Sequence, residues 1–175
     1  DKPVSTWLSG AAPEIGKVTL RQLLSQTTGI PNAQNAAMTK DMTLAQAAKA
    51  IGEVPLAHAP GTTFVYGGPG FQIAGAVVEV ATGQRWEDVF QSRIARPLGM
   101  QNTHWAYLDL SHDTPVLIED SRNPILQGGA KSTAEDYIHF LEMLAGGGTY
   151  RGKSILSKEA VRGGHADQTL TASMT

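Results

Sequence analysis

The sequence predicts a mainly α chain with a few short strands. Three observations carry that reading. The capping-box pattern, a Ser or Thr followed three residues later by Gln or Glu, occurs at Thr19–Gln22, Thr43–Gln46 and Ser132–Glu135, each time ahead of apolar residues at helical spacing. The β-favouring runs are short and too few for a complete sheet. Between them, Phe64 to Gly83 reads as strand, glycine turn and helix, and the rest of the chain is arranged around it.

Taken in order, Pro3, Val4, Trp7 and Leu8 suit one helical turn ending near Gly10, followed by a polar loop. Thr19 caps a helix from about Leu20 to Gln26, with Val18 and Leu23 placed as a hydrophobic staple, and Gly29 and Pro31 stop it. After a polar loop over 32–41, Thr43 opens a helix closed by Gly52, whose inward face is Leu44, Ala47, Ala48 and Ile51. Pro60 and Gly61 turn the chain into the strand Phe64-Val65-Tyr66. Gly67, Gly68, Pro69 and Gly70 give a turn whose backbone can take positive φ. Phe71, Ala74, Val77, Val78 and Ala81 then recur at helical spacing, with Gly83 as a left-handed cap.

Trp86, Val89, Phe90 and Ile94 mark another helix, ended by Pro97. From 101 to 127 no period is sustained; only short apolar clusters stand out, such as Trp105 with Tyr107 and Val116 to Ile118. Ser132 is the expected cap of a helix carrying Tyr137, Phe140, Leu141 and Leu144, which Gly146 to Gly148 end. A hairpin through Tyr150 to Leu156 follows, and Ser157 caps a last helix. Residues 1–162 form the folded segment in this reading, and 163–175 a polar, weakly ordered tail.

At 175 residues the chain is long enough for one domain that buries roughly 70% of its unfolded surface. A net charge of −2 and scattered Lys and Arg argue against nucleic acid as a partner. No apolar run approaches the ~20 residues that a membrane helix needs. The absence of cysteine excludes disulfides, thiolate metal sites and a cysteine nucleophile. The five histidines make no i,i+3 or i,i+4 pair and no H-E-x-x-H, so no metal site is expected; no cofactor is expected either. Gly147 to Ser154, GGTYRGKS, matches the phosphate-binding pattern G-x-x-x-x-G-K-[ST] letter for letter. Its context is wrong, because a helix precedes it and the next helix starts at Ser157, so a hairpin is expected and nucleotide binding is not. There is no G-x-S-x-G elbow.

Tyr66, at the end of its strand, either presents its hydroxyl to a cleft or packs its ring with a solvated hydroxyl; the local pattern leaves both open. A wider set of segments bears on the choice. Asp1-Lys2-Pro3-Val4 resembles a "DPV" segment, and VTLRQLLSQTTGIP over 18–31 resembles "ITLRQLLSHTSGLP". Pro60-Gly61, the Tyr66 turn, Ala81-Thr82-Gly83, Arg96-Pro97-Leu98-Gly99-Met100 with Thr103, Gly128-Gly129 before Ser132-Thr133, and Leu156 to Val161 follow in the same order. Together these resemble the serine hydrolases related to class C β-lactamases, a family that includes D-alanyl-D-alanine carboxypeptidases and esterases. The match covers most of residues 1–162.

The resemblance implies the helical domain of an α+β, β-lactamase/transpeptidase-like fold. It also implies an acyl-transfer enzyme in which a lysine three residues after a serine activates it and a tyrosine takes part in proton transfer. Tyr66 matches that tyrosine, and Gly67 and Gly68 stand at the substrate-contacting turn. The family's turn is Tyr-x-Asn, so the contacting amide is absent from Gly68, which favours an esterase or peptidase-like activity over a β-lactamase. No lysine has a serine three residues before it, and no K-[ST]-G or H-x-G follows. Two readings result. In one, the chain is a segment of a serine acyl hydrolase acting on a small-molecule ester, amide or peptide, outside the cytoplasm by family resemblance. In the other, it is a non-catalytic binding or interaction protein on the same scaffold. In either, Leu20, Leu23 and Leu24 should leave exposed apolar surface through which copies associate.

Overall fold

A computed structural model describes residues 2–32, 39–109, 116–169 and 173–174. Asp1, positions 33–38 of the expected polar loop and most of the end of the expected tail lie outside the described residues. A 3-10 turn at Val4–Thr6 opens the chain, and α1 (Pro13–Lys17) follows where a polar loop was expected. Pro13 begins α1, Glu14 and Lys17 match the helix dipole, and Ile15 anchors it in the core, so one apolar residue sufficed.

The first two capping boxes form as read. Thr19 accepts from the Gln22 N–H and Gln22 returns the bond ahead of α2 (Leu20–Leu24); Thr43 and Gln46 do the same for α3 (Leu44–Gly52). Val18 and Leu23 are fully buried, as are Leu44, Ala47 and Ile51. Helix α2 stops two residues early because Gln26 turns left-handed, at φ 58°.

β1 is Thr63–Phe64, shorter than the strand expected through Tyr66, and it pairs in parallel with β8 (Ser173–Met174). The Val65 N–H leaves the strand direction to donate to the Gln26 carbonyl at 3.0 Å. α4 (Pro69–Thr82) is the central helix, ending on left-handed Gly83. It packs on α2 and α3, and Ile73, with no exposed surface, sits at that junction. Burying such a side chain contributes about 1.5–3 kcal/mol. Gln72 is equally buried and binds a segment far along the chain: it donates to Asn123 Oδ1 at 2.9 Å and to the Pro124 carbonyl at 3.0 Å, and accepts from the Leu126 N–H at 2.7 Å.

The helix expected to stop at Pro97 instead continues through it. α5 (Trp86–Phe90) passes through a π turn at Gln91–Ala95 into α6 (Arg96–Leu98), and left-handed Gly99 ends the run. The wider turn gives the proline ring room against the preceding backbone. The stretch that was hard to read holds short strands: β2 (His104–Trp105), β3 (Tyr107–Asp109) and β4 (Val116–Ile118), with β5 (Ala130–Lys131) beyond them. β2 pairs with β5, and β3 with β4, both antiparallel. Among the described residues no sheet exceeds two strands.

α7 (Ala134–Ala145) is capped by Thr133, not by Ser132. The Ser132 hydroxyl is 2.7 Å from Thr103 Oγ1, so the cap moves one residue on and Asp136 becomes the third helical position. Burial opposes ionisation of Asp136, but bonds from the Thr103 hydroxyl and the Asn102 and Gln101 N–H groups, with His139 nearby, hold its carboxyl below the usual range. β6 (Thr149–Tyr150) and β7 (Lys153–Ser154) make the expected hairpin. Ser157 caps α8 (Lys158–His165), which runs three residues into the stretch read as tail.

Two apolar clusters result. One joins α1 to α4 with Leu126; the other gathers Leu98, Met100, Met143 and Tyr150. Leu23 belongs to the first cluster, contrary to the exposed face expected of it, whereas Leu24 is 57% exposed. Leu20 and Leu24 border an apolar groove of about 540 Å³ walled by Trp7, Phe71, Trp86 and Trp105. Trp86 and Trp105 meet edge to face at 5.4 Å. Among the described residues no helix is long and apolar enough to cross a membrane.

Candidate functional site

Four separate stretches meet around the Tyr66 turn. The segment after α2 runs beside the approach to Tyr66: the Ala57 N–H donates to the Gly29 carbonyl at 2.8 Å, Gly61 to Thr27 at 2.6 Å and Val65 to Gln26 at 3.0 Å. The Gln26 side chain also accepts from the Gly67 N–H at 2.9 Å. One residue thus holds the backbone on both sides of Tyr66, and it does so in a left-handed conformation that costs a non-glycine residue about 1 kcal/mol or more.

Tyr66 is 75% exposed, and its ring borders a cleft of about 360 Å³ shared with Gln26, Asn32, Gly67, Gly68, Phe71 and Gln127. The ring is not packed among the core residues of this chain. α4 starts directly behind the turn, with Gly68 at the N-cap position providing no side-chain cap and its carbonyl accepting from the Phe71 and Gln72 N–H groups.

The glycines of the turn do not take the positive φ expected of them. Gly68 lies at φ −87°, where any residue fits. Space is what they provide. A Cβ on Gly67 would fall on the Asn32 side chain, one on Gly68 would fall on the Gln127 carboxamide, and one on Gly70 would lie 2.9 Å from the Leu23 carbonyl oxygen.

Gln127 reaches this place because Gln72, one turn into α4, holds Asn123 to Leu126 against the helix. A tight turn follows, in which the Gly129 N–H donates to the Ile125 carbonyl at 2.6 Å. The structure therefore places the three residues expected at the site, Tyr66, Gly67 and Gly68, together at the cleft. It adds Gln26, Asn32 and Gln127, none of which stood out in the sequence. Their only signal was adjacency: Gln26 lies within the 18–31 segment, and Gln127 directly precedes the Gly128-Gly129 pair.

Comparison with known proteins gives the same direction. Over 87 residues the chain is 36% identical to penicillin-binding protein 4 of Amycolatopsis lactamdurans, covering 49% of this chain and 23% of that protein. A crystal structure of a β-lactamase candidate from Bacteroides dorei DSM 17855 superposes on all of this chain and on 51% of its own, with TM-score 0.86 and 36% identity. The D-amino acid amidase of Ochrobactrum anthropi SV3 shares the fold, at TM-score 0.65 and 22% identity over 92% of this chain and 51% of that one. The chain thus spans about half or less of these proteins. The family model described as Beta-lactamase matches residues 1–174, and with it the ordered segments from the 18–31 stretch to the last helix find one explanation: the chain belongs to the Beta-lactamase family.

Proposed function

We propose that this chain is the helical-domain segment, over residues 1–162, of a serine acyl hydrolase of esterase, carboxypeptidase or β-lactamase type, and that Tyr66 is its proton-transfer tyrosine. The observation that carries this is the exposed Tyr66 phenol at a polar cleft, with both flanking N–H groups held by Gln26. A tyrosine needed only for packing gains nothing from such a mounting. The serine and its lysine would come from polypeptide outside these 175 residues. The serine oxygen attacks the carbonyl of a small ester, amide or peptide and its proton passes through the Lys and Tyr66 to the leaving group. Water then releases the acyl group and restores the serine proton.

The apolar groove beside α4 supports the same reading. Aromatic walls and the exposed Leu24 fit a surface that the remainder of such a fold covers, and left uncovered they favour self-association. The family resemblance favours, for the complete protein, a location outside the cytoplasm.

The decisive experiment is Tyr66→Phe in the full-length protein carrying this chain. A positioned acid or base is worth about 10²–10⁴-fold, and kcat on a p-nitrophenyl ester should fall by that order with the fold intact. Near-unchanged turnover would return the phenol to a passive role. Full-length protein that binds β-lactams or peptides without turning over any ester or amide would establish the non-catalytic alternative.

A further inference from the structure

The cleft beside Tyr66 has an unusual chemistry. Three carboxamides line it, from Gln26, Asn32 and Gln127, and apart from Tyr66 itself none of its described lining residues is ionisable. Such a lining offers donors and acceptors without net charge, which suits a neutral amide and gives nothing to balance a carboxylate or an ammonium group. The Gln26 amide oxygen is already committed to Gly67, which keeps that side chain in place. Asn32 packs against Gly67. Gln127 differs from both: it is exposed, and its amide makes no hydrogen bond among the described residues. It is nevertheless placed. Its backbone is held by the buried Gln72 contacts immediately before it, and its carboxamide occupies the volume in which a side chain at position 68 would begin.

We propose that Gln127 is a specificity-determining residue of this site, whose carboxamide binds a secondary amide on the acyl part of the substrate, and that Gly68 is glycine in order to admit it. The inference rests on the reading of Tyr66 given above. A secondary amide presents one N–H and one carbonyl, and a carboxamide answers both. The glycine turn and the loop after Asn123 are thus two halves of one device: the turn supplies space, the loop supplies the polar group. A side chain at position 68 and the Gln127 carboxamide compete for one volume, so a carboxamide can be delivered there from either position.

The test uses the full-length protein and two p-nitrophenyl esters, one of acetate and one of N-acetylglycine. The quantity read is the ratio of kcat/KM for the acylamino ester to that for the acetate ester. Gln127→Ala should lower the ratio about tenfold, the effect of losing one uncharged polar contact. The double variant Gly68→Asn, Gln127→Ala restores a carboxamide in the same volume and should recover the ratio to within about threefold. A ratio unchanged by Gln127→Ala, or a double variant as poor as the single one, overturns the assignment. Tyr66→Phe separates this failure from that of the catalytic reading, because it should slow both esters alike and leave the ratio as it was. Wild-type protein that turns over neither ester overturns both.

Discussion

Two glycine-rich stretches look interchangeable on paper and serve opposite purposes. At Gly67, Gly68 and Gly70 no residue takes a positive φ, and what glycine supplies is volume: Asn32, Gln127 and the Leu23 carbonyl stand where a Cβ would go. At Gly147, Gly148 and Gly152 φ is 64°, 95° and 78°, so glycine there supplies dihedral freedom. The neighbours differ too. Two of the groups crowding the first stretch, Asn32 and Gln127, are exposed side chains that can swing away, whereas Gly148 faces the Leu156 backbone carbonyl, and its own carbonyl accepts from the Ile155 and Leu156 N–H groups. The first turn is thus adjustable and borders the cleft, the second rigid and structural.

The largest effect should come from alanine in each stretch. Gly148→Ala, forced to hold φ 95° against backbone, should cost about 1–3 kcal/mol. Gly68→Ala, at φ −87° against a movable side chain, should cost under about 0.5 kcal/mol. Urea midpoints of the two variants decide the matter, and equal losses would erase the distinction. A smaller effect sharpens the other end of α7, whose C-terminus runs into the second stretch. Thr133→Ala should cost about 1 kcal/mol, since it leaves the Asp136 N–H without its cap, and Thr19→Ala and Thr43→Ala should match it. Ser132→Ala removes the hydroxyl contacts with Thr103 and with the Thr133 carbonyl, neither of them a helix cap, and should cost less than Thr133→Ala; the reverse order would restore the cap to Ser132.

The smallest expected effect is none at all. Gly147 to Ser154 matches a phosphate-loop pattern, yet it is a two-stranded hairpin turning at Arg151 and Gly152, with no helix N-terminus behind Lys153. Titration calorimetry with Mg-ATP and Mg-GTP should detect no binding tighter than about 100 μM. A signal that Lys153→Ala abolishes would show that the hairpin rearranges into a loop around phosphate.

Much of the architecture was legible because it is written in neighbouring residues. The boxes at Thr19 and Thr43, the Ser157 cap, the left-handed Gly83 and the hairpin before Leu156 each depend on partners three to five residues away, and each formed as read. The readings that moved did so through contacts from elsewhere. Ser132 lost the cap to Thr133 because Thr103 engages its hydroxyl, and the strand stopped at Phe64 because Gln26 takes the Val65 N–H. Pro97 failed to end its helix because a π turn, invisible in the pattern, precedes it.

The sequence by itself determined where most helices begin, where the chain must turn, and, through the ordered segments from Asp1 to Val161, the family. Tertiary structure alone decided what surrounds Tyr66. Gln26 reaches Gly67 across 41 positions, and Gln72 reaches Leu126 across 54, and no local pattern encodes such a pairing. The reason is physical. A cap or a turn forms with partners that the chain holds close at little entropic cost, whereas a contact between distant segments exists only once the apolar core has closed the loops between them. The space beside Gly68 is therefore filled not from its own stretch but by Gln127, whose segment Gln72 holds against α4.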